Sequence, residues 1–351
     1  MVSRETMSFS PAVGGEMNLP SPKGDKLSGM KQRFPKVDPL IVLIVSAVLT
    51  AIIFPARGQF AEIFGDVTNV VIALLFFLYG ARLSTQEALN GIKHWKLHLT
   101  ILAFTFVLYP LVGLALRPLT VFISQDMYLG ILYLTLVPST VQSSVAFTSI
   151  ARGNVAGAIV SASASNLAGV FLTPLLVMLL MGAGDGVHLD ASVFLEIALL
   201  LLAPFLLGQL TRRWVAGFAA NKATKIVDRG SITMVVYSAF SKGVVDGIWG
   251  SINVGEIFFL IAFSAVLVAF MLWLTRVISA KLGFTRADII AIEFCGSKKS
   301  LATGLPMASV IFASGGASLG ILILPLMIYH QVQLMICSWL AARYSRSAEE
   351  S

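Results

Sequence analysis

The chain has 351 residues, of which 57% are hydrophobic and only 12% charged, whereas soluble domains carry about 25% charged residues. This balance excludes a soluble globular protein and leaves room for about ten membrane crossings of roughly 20 residues each. The net charge of +7 implies no nucleic-acid partner, because basic residues of membrane proteins gather in their cytoplasmic connections; the expected surroundings are a lipid bilayer.

Residues 1–37 are polar, carry six Lys or Arg and lack the apolar core of a signal peptide, so they are expected to form a disordered cytoplasmic tail. Apolar runs of spanning length follow at about 38–55, 65–82, 98–116, 127–150, 154–182, 192–210, 229–246, 255–276, 288–312 and 317–342, which predicts an all-α polytopic protein with ten transmembrane helices. The seventh run is the weakest, being short and ending in Lys242 and Asp246. Residues 38–343 then form a single integral membrane domain, and 344–351 a second short cytoplasmic tail. Of the 25 Lys and Arg, 20 fall on the side of the N-terminus and 3 on the other, the remaining two being Lys298 and Lys299. This asymmetry puts both termini in the cytoplasm, with the protein in the plasma membrane, or the inner membrane of a bacterium. Cys295 and Cys337 lie in apolar runs and suggest neither a disulfide framework nor a metal motif. Nothing in the sequence fixes an oligomeric state.

Two of the runs are interrupted. The fourth contains Pro138 and the polar stretch "PSTVQSS" (138–144), and the ninth contains "CGSKKS" (295–300) followed by Gly304 and Pro306. Each is followed by a loop of small residues and then by a helix bearing Thr-Pro-Leu-Leu or Leu-Pro-Leu-Met. Spans four and five thus resemble spans nine and ten, and with five spans per half the second half (190–343) must run opposite to the first (38–182). Broken helices at matching positions of two inverted halves point to a transporter's central site.

The stretch "EFCGSKKSLATG" (293–304) puts Glu293, Lys298 and Lys299 at membrane depth, where each charge costs about 2.5–3.5 kcal/mol. On a continuous helix Glu293 shares a face with Ser297 and Ser300 while both lysines point away. A break at Gly296 and Ser297 would free backbone groups and let the lysines swing toward the carboxylate, and irregular backbone at this depth must face protein or a wet cavity. Glu293 is therefore expected to be a coupling carboxylate, with Lys298 and Lys299 as its counter-charges or as anion-binding groups. Gln142, Ser143, Ser144, Ser297 and Ser300 offer polar lining, and His330 is a candidate for the same site. The positive sum of the Glu-Lys-Lys set favours a small organic anion as substrate. Arg152 is expected to cap the carbonyls at the end of span four. Two other classes fit the same residues: an intramembrane acid–base enzyme, against which stands the lack of any nucleophile or metal motif, and a sensor that binds a ligand without moving it.

The segments "FLYGARLS" (77–84), "ARGN" (151–154), "VYSAF" (236–240), "EFCGSKKSLATGLPMA" (293–308) and "LPLMIYHQVQL" (324–334) resemble the bile acid:sodium symporter superfamily, in its divergent SBF-like branch, over about 38–343. The resemblance implies two inverted five-helix repeats, arranged as a panel and a core in which helices four and nine break and cross, and it implies no enzyme activity. It also implies two sodium ions behind the crossing, with Glu293, Ser143 and Ser144 as ligands and no other cofactor. Thr105 falls where the family has a glutamine of the third helix, and it is expected to join the polar lining of the substrate site. Ala158, Ala162, Ser297 and Lys298 replace further ligands of the family, and a hard cation wants several oxygens. A lysine ammonium, of Lys298 or Lys299, is expected to stand in for sodium beside Glu293, an arrangement suited to proton coupling or to an uncoupled carrier.

Overall fold

The computed structural model describes residues 39–82, 94–181, 198–245, 247, 254–312 and 318–347, so the predicted N-terminal tail, the linker at 182–197 and the last four residues lie outside the described residues. The described residues are helical, with no strand among them. The helices are α1 (Pro39–Ile53), α2 (Gly58–Arg82), α3 (Trp95–Val121), α4 (Gln125–Leu136), α5 (Gln142–Ile150), α6 (Val155–Met181) and α7 (Ala203–Leu210). They continue with α8 (Arg212–Ala219), α9 (Lys225–Val245), α10 (Val254–Lys281), α11 (Arg286–Gly296), α12 (Leu301–Ile311) and α13 (Leu319–Ser347). Where residues are described, the predicted apolar runs fall on helix apart from the interruptions of the fourth and ninth, the weak seventh run included, since it forms the 21-residue α9. Five helices among the described residues (α2, α3, α6, α10 and α13) are long and apolar enough to cross a membrane unaided. Their outward faces carry exposed Val70, Phe171, Val266, Trp273 and Met335, side chains suited to hydrocarbon.

The fourth and ninth apolar runs are each divided into two helices, and local sequence says why. Val137 precedes Pro138, which bars it from helical backbone, and α4 stops with Val137 extended at ψ 155°. On the far side of the other gap, Ser300 is extended and its hydroxyl accepts from the Thr303 N–H, starting α12 as an N-cap. α11 starts in the same way on Thr285, whose hydroxyl accepts from the Asp288 N–H.

The "ARGN" stretch is a helix-to-helix turn. Arg152 has φ 57°, its N–H bonds Ser149 O, and the Gly153 N–H bonds Thr148 O at 2.8 Å. This double bond pattern satisfies the last carbonyls of α5 through the backbone of Arg152. Asn154 then caps α6 by accepting from the Gly157 N–H, and its side-chain amide donates to Asp288 of α11 at 2.7 Å. The motif therefore anchors the α5–α6 turn to the start of the second broken span.

α1 packs on α9, and α2 packs on both α7 and α9. Gly80 and Gly208 make the α2–α7 crossing possible, because a Cβ on Gly80 would sit 2.0 Å from Phe205 O and one on Gly208 would sit 2.0 Å from Phe77 O. Small residues permit such backbone approach in membrane helices. At the end of α2, Arg82 makes paired bonds to Asp228 at 2.9 and 3.0 Å and also donates to Ala219 O and Thr224 Oγ1. The remaining helices surround the two breaks: α11 contacts α3, α5, α6 and α10, while α13 contacts α4, α5, α10 and α12. α13 runs to Ser347, past the expected boundary at 343, so Tyr344 belongs to the helical body.

A candidate transport site where two broken helices meet

The two interruptions touch. The Ser300 N–H donates to Pro138 O at 2.8 Å, and the Ser139 hydroxyl donates to Cys295 O at 2.6 Å. Asn166 of α6 joins them from the side, donating to Ser139 O and accepting from the Thr303 hydroxyl, each at 2.7 Å. The hydroxyl of Ser144 donates to Phe294 O at 3.0 Å. Gln333 of α13 grips the peptide of Lys299 on both sides: its Oε1 accepts the Lys299 N–H at 2.9 Å and its Nε2 donates to Lys299 O at 2.8 Å. The second Nε2 proton faces His330 Nδ1 at 2.9 Å, which makes that nitrogen the acceptor. Hydroxyls of Tyr109 and Tyr329 both donate to Ser297 O. The backbone groups released by the breaks thus find partners within the protein, as membrane depth requires.

The three charged residues do not gather as expected. Glu293, Lys298 and Lys299 are all buried, but neither ammonium lies within 4.0 Å of the carboxylate, in contrast to Arg82 and Asp228, which form an ion pair at 2.9 Å. Glu293 sits one turn before the break and faces α13, where the Tyr344 hydroxyl lies 3.0 Å from both carboxylate oxygens. The Tyr344 oxygen in turn accepts from Arg276 of α10 at 2.7 Å, and Arg276 is exposed. Both lysines turn away from the carboxylate, and only Lys299 finds full solvation by protein there. Lys299 Nζ donates to the carbonyls of Thr105, Thr135 and Val137 at 3.0, 2.8 and 2.9 Å. Lys298 Nζ lies 3.8 Å from the centroid of the Phe147 ring and 5.7 Å from that of Phe294, and it has no hydrogen-bond partner. The expected stand-in for sodium beside Glu293 is corrected accordingly: an ammonium does occupy a nest of oxygens, but those oxygens belong to other residues.

Several hydroxyls expected to line the site serve the backbone instead. Thr105 Oγ1 donates to Ile101 O, Ser297 Oγ to Glu293 O, and Ser300 caps α12. Gln142 is exposed. Ser143 differs, for its buried Oγ has no partner, and it lies one turn before Phe147 on the same face of α5. Two unpartnered buried polar atoms, Ser143 Oγ and Lys298 Nζ, therefore border one helical face. The Glu293 carboxylate is bonded to Tyr344 and the Ser144 hydroxyl to Phe294 O, so no hydrogen bond joins Glu293 to Ser143 or Ser144. A cavity of about 150 Å3 opens between α2, α9, α12 and α13, with Thr68, Asn69, Ser238 and Ser309 on its walls. A groove of about 280 Å3 by His94, Lys96 and Asp288 reaches none of the crossing residues.

Sequence reasoning missed Asn166, Gln333, Tyr109, Tyr329, Tyr344 and Arg276. Asn166 and Gln333 did carry a signal, since each is an amide inside an apolar run, where an unsatisfied polar group is costly. The tyrosines carried none, being ordinary residues of membrane helices.

The sequence profile of the SBF-like CPA transporter family matches residues 38–346. An uncharacterized protein of Pseudomonas aeruginosa is 49% identical over 317 residues, covering 90% of this chain and 95% of that protein. The Escherichia coli protein named "Putative symporter YfeH" is 45% identical over 322 residues, again covering 90% and 95%. "Sodium/bile acid cotransporter 7-B" of Xenopus laevis is 32% identical over 314 residues, covering 85% of this chain and 88% of its own.

Proposed function

Because the chain belongs to the SBF-like CPA transporter family, we propose that it is a secondary active transporter that carries a small organic anion by alternating access. In this reading ten helices cross the membrane as two inverted repeats, both termini are cytoplasmic, and the site lies where the breaks of α4/α5 and α11/α12 meet. The carrying observation is Lys298, a fully buried ammonium with no acceptor. An unpaired buried charge is costly, and the anionic group of a substrate would supply what it lacks. Ser143, with its own unpartnered hydroxyl, would take a second bond from the same group. Gln142 completes the lining, while Thr105, Ser144, Ser297, Ser300 and His330 hold its walls.

Glu293 is the coupling carboxylate of this reading, binding a proton or a sodium ion in exchange with the solution beyond Tyr344 and Arg276. Coupled transport is favoured by the names of the relatives, which speak of symport and of sodium and bile acid cotransport. A family of transporters leaves no reason to assign an acid–base enzyme.

The test is uptake by proteoliposomes of labelled taurocholate and of a smaller carboxylate, under an inward sodium gradient, an inward proton gradient, or neither. Counterflow with either anion, lost in Lys298→Met, supports the site, and the gradient that drives accumulation in wild type but not in Glu293→Gln identifies the coupling ion. Binding of these anions without counterflow would make the protein a sensor, and unchanged counterflow in Lys298→Met would remove the crossing from the mechanism.

A further inference from the structure

We propose that the carbonyl oxygens of Thr105, Thr135 and Val137 form a site for a monovalent cation, which in this protein is permanently filled by its own Lys299 ammonium. The three oxygens lie 3.0, 2.8 and 2.9 Å from Nζ, one for each proton of the –NH3+ group. The ring of Tyr109 closes the site, its centroid 4.1 Å from Nζ, and Lys299 has no exposed surface.

Each oxygen has been freed by a definite local cause. Residues 104–108 are wound as a π turn in which the Tyr109 N–H bonds Phe104 O, so the next donor in that register is residue 110. Residue 110 is proline and has no N–H, which leaves Thr105 O without a helical partner. Thr135 O, in the last turn of α4, would accept from the N–H of residue 139, but that N–H donates to Ser165 Oγ at 3.1 Å. Val137 is extended ahead of Pro138, so its carbonyl is outside the helix ladder. Three neutral carbonyls with converging lone pairs and an aromatic face make a site for ammonium, a primary alkylammonium or an alkali ion. The donor set contains no carboxylate, which disfavours a divalent ion.

This inference does not rest on the transport reading, since Lys299 is distinct from Lys298 and points into a different pocket. It adds that no free ion can use the space where α3, α4 and the α11–α12 break converge, because a tethered one is already there.

Lys299→Ala removes the ammonium and its stem, and thermal unfolding of the purified variant in detergent is followed in ammonium, methylammonium, potassium, sodium and choline chlorides at matched ionic strength. The expected result is a lower unfolding temperature than wild type in choline, recovered saturably by ammonium, methylammonium or potassium. Wild type and Lys299→Met, whose stem still fills the space, should show no such selectivity. No recovery by ammonium, methylammonium or potassium, a wild-type unfolding temperature in choline, or the same selectivity in Lys299→Met would overturn the site. Wild type gives a readout that does not depend on any variant folding: lysine-15N NMR should show a protonated Nζ whose protons exchange slowly with solvent. The absence of that signal would overturn the proposal as well.

Discussion

Replacing Lys298 with methionine should stabilise the protein while disabling it. The ammonium has no acceptor and no exposed surface, and burying an ion without a partner costs several kcal/mol. The Phe147 ring at 3.8 Å returns about 2 kcal/mol of this as a desolvated cation–π contact. Methionine keeps the unbranched stem against Phe147 and Phe294 and removes the charge. Apolar replacement of buried ionic groups is typically neutral or stabilising by about 1–4 kcal/mol, and a gain of about 1–2 kcal/mol is expected here after the ring contact is lost. At roughly 2–4 °C per kcal/mol for domains of 150–250 residues, the unfolding temperature should rise by about 2–8 °C, towards the lower end for this longer chain. Intrinsic tryptophan fluorescence in detergent measures it. Counterflow in proteoliposomes should fall at least about tenfold, corresponding to ~1.4 kcal/mol of lost interaction. The neighbouring Lys299→Met should move the other way, because it orphans three buried carbonyls at about 1–3 kcal/mol each. A Lys298→Met protein that unfolds several degrees lower than wild type, or that transports at the wild-type rate, would refute the reasoning.

Gly80→Ala should lower the unfolding temperature sharply, since its Cβ would meet the Phe205 carbonyl at 2.0 Å and backbone cannot yield as a side chain does; overpacking of this kind costs about 1–3 kcal/mol or more. Gly208→Ala should cost a similar amount, and the double variant less than the sum, because helices already parted by one methyl accommodate the second; strict additivity in thermal unfolding would mean that the two glycines do not share one crossing. Tyr344→Phe leaves the buried Glu293 carboxylate without its side-chain donor, a bond to a charged group worth at most about 1.5–3 kcal/mol and less here because Tyr344 is half-buried. Uptake driven by the coupling gradient should weaken more in this variant than counterflow does, and equal effects on the two assays would separate Tyr344 from coupling.

The helical body was legible from hydropathy because bilayer thickness fixes helix length. The two breaks were legible because Pro138 and the Gly296–Ser297 pair cannot continue a helix at low cost. The destination of each charge was not. Reading Glu293, Lys298 and Lys299 as one cluster assumed that opposite charges so close in sequence would pair. That assumption left out Pro110, which lies far away in the chain and deprives Thr105 O of its helical donor. It also left out Ser165, which draws off the Ser139 N–H. A lone-pair vacancy of this sort depends on register within a distant helix and leaves no mark in composition or periodicity. The missed Tyr344 shows the same limit at another scale, since hydropathy ended the span at 342 while the helix, having partners on α10 and α11, runs on to Ser347.

Two adjacent lysines make sense once their surroundings are separated. Successive residues across a non-helical stretch point in different directions, so positions 298 and 299 necessarily serve different pockets. One direction holds three carbonyls stripped of helical donors and one aromatic ring; the other holds two aromatic rings and no acceptor. A cation in the first pocket is fully solvated by protein and binds α3 and α4 to the α11–α12 break. A cation in the second is held only by ring faces, at a net cost that persists until an acceptor arrives. The first lysine can therefore stabilise the crossing without taking part in transport, which leaves the second free to remain unsatisfied. In the transport reading proposed above, stability supplied at Lys299 would let the protein tolerate, a single residue away, the unpaired charge that a transported anion would relieve.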